Sequence, residues 1–477
     1  MRRSLPLAGA ALLGAAGACA GESATQAAAS ALGVNGLETL SFAAEGERLE
    51  GGQMTRTSEP WLPVRMVRSY QASFDYPSHG MRVDEVRSGS SSAGYFAGED
   101  HIVQLVSGGF AWNEPEAQAA VPQPGWLQDR QLLAWAGTPQ GVLKAAAGAT
   151  ARAVTGGTEL LFKVGGAPVK AFIDELNLLE RVETITPDVL LGDVPVVIRY
   201  SSYRDFGGIR FPGLIVESEA GFPVLFLAVT EVKANPTLQI SVPENIRAYI
   251  PPAVTVKTQK LADGVYWLFG SSHHSMAVDM GDYVVMVEAP LNEVRSQAVM
   301  AETRRLIPDK PIRYVINTHL HSDHSGGLRT YVDAGATVVT QSENRAFYER
   351  AWSAPRTLEP DRLSRSGKPA RFLTVQDAAR LKGGNGRVLE LHLLQGNPHN
   401  EQNLVVWLPT ERILFQSDML NAPVSAPVTH PGPVITNFYD NLRRLKIEPQ
   451  QIVGGHGPKV LTMSDLDAAA GRAEEGH

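Results

Sequence analysis

The sequence predicts a mostly antiparallel β domain followed by a layered α/β domain. Three observations carry this. From Leu37 to about Pro252, apolar and polar residues alternate with a period of two, broken at turn pairs such as Gly108-Gly109, Gly165-Gly166 and Gly207-Gly208. After Pro243, Pro251 and Pro252, the rhythm changes to short apolar strands separated by helical patterns. In that second stretch, histidine and aspartate gather where apolar strands end, which is how active sites are assembled at one edge of a layered α/β fold.

A chain of 477 residues has room for two or three domains, each with its own core. The formal charge of -7 provides no basic footprint and argues against a nucleic-acid partner. Arg2 and Arg3 open the chain, an apolar run follows from Leu5 to Ala18, and Ala18-Cys19-Ala20 has the small-x-small cleavage pattern. Residues 1–20 thus read as a signal peptide, which implies an exported protein, periplasmic or secreted. The run is shorter than the ~20 residues a membrane span needs. Lipid attachment at Cys19 ranks second to cleavage. Cys19 is the single cysteine, so the mature chain would have no intramolecular disulfide and no thiolate metal ligand. Without Arg2 and Arg3, 41 basic residues face 50 acidic ones, a charge of -9. No later stretch is apolar enough for a membrane span.

Residues 21–36 read as a tether and a short Ala-rich helix stopped at Gly33. Within 37–252 the clearest strands are 37–43, 81–86, 101–106, 196–200 and 225–229, with one helix around 131–147. This domain holds no cluster of catalytic residue types: His79 and His101 are isolated, and Tyr200, Tyr203 and Asp205 form a group of the kind that packs a sheet surface. The opening helix, the strands and the export signal loosely resemble curved-sheet periplasmic domains that carry lipoproteins or lipid. That resemblance implies a lipid or an envelope partner for this half.

Residues 253–477 read as strand 265–269, a hairpin of 276–278 with 283–287, and a helix 293–306 whose apolar face is Val294, Ala298 and Ala301. A buried strand at 314–317 precedes a helix at 328–333, a strand at 337–340 and a helix at 342–352. Residues 353–386 read as a polar surface insertion with one short helix near 375–381. Strands follow at 388–394, 403–408 and 413–416, then a Pro-rich loop, a helix at 437–445, a strand at 451–453, and a closing helix from Ser464 capped through Asp467. Met276, Met280 and Met286 read as core filler.

The chemistry centres on Thr318-His319-Leu320-His321-Ser322-Asp323-His324-Ser325-Gly326-Gly327. Three imidazoles and a carboxylate within six residues are hard to explain as packing, and both are usual zinc ligands. His399, Asp418 and His456 stand at three further strand termini. His273 and His274, in the turn after strand 265–269, and His430 and Tyr439, in or after the Pro-rich loop, are candidates for a substrate-pocket wall.

Four motifs together resemble the metallo-β-lactamase superfamily: His-x-His-x-Asp-His at 319–324, the histidine before Asn403-Leu404-Val405-Val406-Trp407-Leu408-Pro409, the aspartate ending Leu414-Phe415-Gln416-Ser417-Asp418, and Gly455-His456-Gly457-Pro458. The resemblance covers roughly 255–470. It implies an αββα sandwich with a two-metal site at one edge. It assigns His319, His321 and His399 to one ion, Asp323, His324 and His456 to the other, and Asp418 to both. Glu288 stands where the family commonly has a strand-end aspartate. Two Zn2+ are the implied cofactors, with Mn or Fe as alternatives.

The ligand set looks like that of the hydroxyacyl-thioester, lactone and phosphodiester hydrolase branches. It implies a dinuclear zinc hydrolase that uses a metal-bound hydroxide on an ester, thioester, lactone or amide bond of a small-molecule substrate. Asp323 would also orient the nucleophile or carry its proton. The competing readings are an envelope lipid- or partner-binding protein with an auxiliary metal domain, and a metal-dependent oxidoreductase.

Overall fold

A computed structural model of the chain describes residues 24–49, 52–57, 64–88, 99–424 and 427–472. The expected signal peptide and Cys19 lie outside these residues. A helix at 24–31 opens the described chain. A thirteen-stranded sheet follows, running from Val121–Pro122 at one edge through Thr39–Leu49 and Phe222–Ala234 in the middle to Thr150–Val154 at the other. Its strands pair antiparallel, and most neighbours are consecutive in sequence. Alternation explains the sheet: Leu40, Phe42 and Ala44 are buried while Thr39, Ser41 and Ala43 are less so.

The buried face packs against Ala28 and Leu32 and against two further helices. One helix was expected around 131–147. There are two, Leu127–Ala136 and Pro139–Ala145, because Thr138 caps the second and Pro139 starts it. Tyr200 and Tyr203 donate their hydroxyls to the backbone carbonyls of Ala136 and Leu179, a packing role. Between this sheet and helix Leu127–Ala136 lies a cavity of about 500 Å3, whose lining includes Tyr70, Ile102, Leu133, Glu217 and Val224.

The second half stacks two sheets. One runs Lys257–Ala262, Val265–Phe269, Ser275–Asp279, Val284–Val287, Ile312–Ile316, Thr337–Gln341, Phe372–Val375, and its last three pairings are parallel. The other runs Ala378–Lys382, Val388–Leu393, Leu404–Leu408, Ile413–Gln416, Gln451–Gly454. Their facing sides share one core, with Trp267, Met276, Val285 and Ile316 against Leu391, Val406, Phe415 and Val453. Helices Glu293–Leu306, Leu328–Asp333 and Asn344–Ser353 cover the outer face of the first sheet, and Pro433–Leu445 and Met463–Ala469 that of the second. This is an αββα sandwich. Its central strands read as unbroken apolar runs because they are buried on both faces.

Three expectations need correction. The buried face of helix Glu293–Leu306 is Arg295, Ser296, Val299, Met300 and Thr303, while Val294 is exposed. Arg295 wins that face because its guanidinium donates to the carbonyls of Thr255 and Phe269. Residues 375–381 belong to strands Phe372–Val375 and Ala378–Lys382 and the bend between them rather than to a helix, and the short helix of that segment is Arg362–Ser366, capped by Asp361. The closing helix is capped by Thr462 with Asp465, not by Ser464 with Asp467.

The halves share packing. Met54, Leu190 and Val224 of the first half belong to the core cluster under the first sandwich sheet. Asp193 accepts hydrogen bonds from Thr357, and Arg356 donates to the carbonyls of Asp188 and Leu190. No helix among the described residues is long and apolar enough to cross a membrane.

Inside the thirteen-stranded sheet, Glu85 is fully buried between Arg48 and Arg87, 3.0 and 2.7 Å away. Burial pushes the Glu85 carboxyl up, but the two guanidinium groups outweigh it and hold it below its usual value. Its contribution to stability is therefore present above about pH 4.3 and is lost as pH falls through the lowered value. Replacing Glu85 with Ala removes the buried carboxylate that Arg48 and Arg87 share and should cost about 3–5 kcal/mol in urea denaturation at pH 7. The difference should shrink in acid.

Candidate metal centre

Four loops at one edge of the sandwich bring the site together. The first follows strand Ile312–Ile316. There Asn317 accepts a hydrogen bond from the Tyr348 hydroxyl at 2.6 Å and donates to the carbonyl of His319, which fixes the turn. The Thr318 amide donates to Glu288 Oε1 at 2.8 Å. Gly326 and Gly327 let this loop pass against its neighbour: a Cβ on Gly326 would stand 2.1 Å from the Leu291 carbonyl. The second loop carries His399, whose amide is held by the Asn397 side chain. The third carries Asp418, braced by Gln416, which accepts from the amides of Met419 and Leu420. The fourth carries His456. Beside it Gly457 has φ +93°, and a Cβ there would meet the Asn421 carbonyl at 2.0 Å.

The side chains form two adjacent groups, within each of which the potential ligand atoms lie within 4.8 Å of one another: His319, His321, His399 and Asp418, and His273, Asp323, His324 and His456. All seven ligand candidates are in these groups, and so is His273. Asp418 touches both. Its Oδ2 is 2.8 Å from His399 Nε2, 3.2 Å from His319 Nε2 and 3.1 Å from His324 Nε2, and its Oδ1 is 2.8 Å from His456 Nε2.

The outer nitrogens decide where the protons sit. His321 Nε2 donates to the Met54 carbonyl at 3.0 Å, His324 Nδ1 to Glu288 Oε2 at 2.6 Å, and His456 Nδ1 to the Ser272 carbonyl at 3.1 Å. In a neutral ring each such acceptor leaves the other nitrogen as a lone pair turned inward. His321 Nδ1 is buried with no hydrogen-bond partner. His319 Nε2 faces His399 Nε2 at 3.2 Å, and His324 Nε2 faces His456 Nε2 at the same distance. Lone pairs converging on a buried carboxylate suit a cation, and a donor set of nitrogen and oxygen suits zinc.

The charge states agree with this. Burial, reinforced by neighbouring imidazoles, pushes His319 down to about 4 and holds His321 well below its usual value, so both are neutral at pH 7. Burial would raise Asp418 and Asp323, but the surrounding histidines outweigh it and keep both ionised. His324 and His319 both touch Asp418 yet shift in opposite directions. Burial lowers His324 too, but Asp418 together with Glu288 overcomes it and holds a proton there. That proton occupies the place where a cation's charge would act.

Glu288 is fully buried and has φ +69°, unusual for a residue with a Cβ. Its carboxylate grips the first residue of the histidine loop and one of its histidines, and these two bonds hold the strained backbone. His273 donates to Asp323 Oδ2 at 3.0 Å, so it holds that carboxylate. His274 lies outside both groups: its Nε2 donates to the Gly457 carbonyl at 2.8 Å and its ring stands edge-on to Trp267. His430 is exposed beside Thr429, and Tyr439 packs under Arg472 in the outer helical layer. The structure brings neither to the metal groups. Sequence reasoning did not point to Gln53, which donates to Asp323 Oδ1 at 2.9 Å, or to Met54. They stand far from every motif, and a backbone carbonyl leaves no residue-type signal.

Residues 268–470 match the family model of the metallo-beta-lactamase superfamily. A metallo-beta-lactamase type 2 from Bacillus cereus is 26% identical over 152 residues, 31% of this chain and 53% of the relative, so the chain spans about half the length of that relative. Among solved structures, a metallo-beta-lactamase from Hirschia baltica aligns at 22% identity and TM-score 0.36, covering 46% of this chain and all of that one. One from Pontibacter korlensis aligns at 18% and 0.36, covering 45% and 97%. The match falls within the second half, so the lipid-carrier likeness of the first rests on its sequence pattern alone. With the motif set, the αββα sandwich and the paired histidine–aspartate groups all inside the matched segment, residues 268–470 belong to the metallo-beta-lactamase superfamily.

Proposed function

We propose that this protein is an exported two-zinc hydrolase that cleaves an ester, thioester, lactone or amide bond of a small molecule. One observation carries the reading: two histidine–aspartate groups, joined by Asp418, in a segment that belongs to a family of metal-dependent hydrolases. His319, His321 and His399 would hold one ion, Asp323, His324 and His456 the other, and Asp418 both. A bound metal pair supplies Lewis acidity and brings the pKa of water to about 7.

The remaining work belongs to the chain. Asp323 is one-third exposed and His456 about one-fifth, so this edge is where water and substrate arrive. With Oδ1 held by Gln53 and Oδ2 by His273, Asp323 has a fixed orientation from which it aligns a nucleophile and accepts its proton. Burial keeps His273 below its usual value, so it is neutral near pH 7 with its Nε2–H held on Asp323. The Bacillus cereus relative is named a metallo-beta-lactamase. Asp418, with no cysteine after Cys19, favours the ester, thioester and lactone side of the substrate range for this chain.

A second reading has an observation of its own. The 500 Å3 cavity, lined by the first half with Ser322 and Phe347, sets Arg48, Arg87 and Arg130 beside apolar side chains, which suits an amphiphile with an acidic headgroup, and native mass spectrometry of protein purified without detergent would find one bound.

Two predictions test the main reading. Purified protein should carry two equivalents of zinc, manganese or iron after reconstitution. His321→Ala should remove hydrolysis of ester and lactone probes while leaving the circular dichroism unchanged; fewer than two equivalents, or surviving activity, would sink the assignment. Glu288→Gln keeps an acceptor for Thr318 but takes the charge from His324. It should weaken metal binding about 10–100-fold in a chelator competition.

A further inference from the structure

We infer that the metal site is completed by the first half of the chain: the 52–57 loop is part of it, and Gln53 is a positioning residue for Asp323. This rests on the dinuclear reading above and adds residues outside the family match.

Gln53 and Asp323 are 270 positions apart, yet Gln53 Nε2 donates to Asp323 Oδ1 at 2.9 Å. The neighbouring Met54 carbonyl accepts from His321 Nε2 and from Asn400 Nδ2, each at 3.0 Å. The loop is tied down at both ends. The Ser322 amide donates to the Gly52 carbonyl, the Glu401 amide donates to the Thr55 carbonyl, and Arg56 pairs with Glu401. It thus bridges the histidine loop and the loop that carries His399. Gly52 has φ +75°, and a Cβ there would stand 2.8 Å from Ser322 Oγ, so the approach requires glycine. The Met54 side chain is 4% exposed, in the core under the first sandwich sheet.

These contacts have chemical consequences. His321 is 2% exposed, so water cannot readily replace the Met54 carbonyl as the acceptor that keeps the proton on Nε2 and the lone pair on Nδ1. The Gln53 amide holds Oδ1 of Asp323, and Oδ2 lies 3.0 Å from His273 Nε2 and 3.6 Å from His324 Nε2. Both effects set ligand orientation, and groups that orient ligands typically change metal affinity 10–100-fold.

Two near-isosteric variants of the full-length protein separate this role from packing. Gln53→Met keeps volume and removes the donor; Gln53→Glu keeps shape and places a second carboxylate against Asp323. Zinc competition and the absorption spectrum of the cobalt-substituted protein are read alongside circular dichroism. Gln53→Met should weaken the more loosely held ion about tenfold and lower kcat more than it changes KM. Gln53→Glu should weaken that ion at least as much despite its closer shape. If both variants bind two ions as wild type does, with unaltered cobalt spectra, Gln53 is not a positioning residue. If Gln53→Glu fails to fold, Gln53→Met decides on the same readouts. A wild-type protein that takes up no metal overturns the dinuclear reading itself, and the assignment with it, a result distinct from loss in the variants alone.

Discussion

Six imidazoles and two carboxylates share one edge of the sandwich, and their lone pairs point at one another. That constraint organises the rest of the site. Asp418 is 7% exposed, within 3.2 Å of four histidine nitrogens, and a buried carboxylate in that position needs positive charge beside it. Those neighbours are all histidines. The chain places acceptors behind three of the histidines, so that in the neutral ring the hydrogen faces outward and the inner nitrogen is open to a cation. Met54, Ser272 and Glu288 provide those acceptors. The scaffold around the groups is thus built for a cation before any cation arrives.

Holding such a set in register requires rigid turns, and the turns are made rigid by buried amides. Asn317, Asn397 and Gln416 each fold a side chain back onto the backbone of their own loop. Glu288 goes further. It adopts a left-handed backbone conformation so that one carboxylate can reach both the Thr318 amide and His324. An aspartate is one methylene shorter, so the family's usual residue would need a different backbone to span the same two partners. The longer acid and the unusual dihedral are one solution.

Much of this edge was legible in the sequence because its residues sit at strand ends, where apolar runs stop and histidine or aspartate follows. Strands buried on both faces announce themselves by composition, as Val284–Val287 and Leu404–Leu408 do. The period-two pattern of the first half announced its sheet as clearly. What the sequence hid had physical causes. Arg295 lies on the buried face of its helix because backbone carbonyls solvate its charge, so an apolar-face reading chose Val294 instead. Residues 372–382 looked like surface insertion, yet they supply an edge strand to each sheet. Their polar composition reflects edge positions with one open side. His273 was read as a pocket wall; its bond to Asp323 depends on a turn whose path no local pattern fixes.

The first half carries no cluster of catalytic residue types, which suggested a separate role for it. Its contribution to the site is of another kind. A backbone carbonyl from Met54 and one amide from Gln53 reach the metal groups, while Met54, Leu190 and Val224 enter the core of the second half. Carbonyls and apolar contacts carry no motif, so their place could be seen only once the chain was folded. The shared core also ties the two halves energetically. Displacing the 52–57 loop would expose Met54 and remove the acceptor of a buried histidine in the same step. Metal binding, which favours the ordered histidine loop, would in turn favour the docked position of the loop from the first half, since a ligand stabilises whatever conformation holds its site.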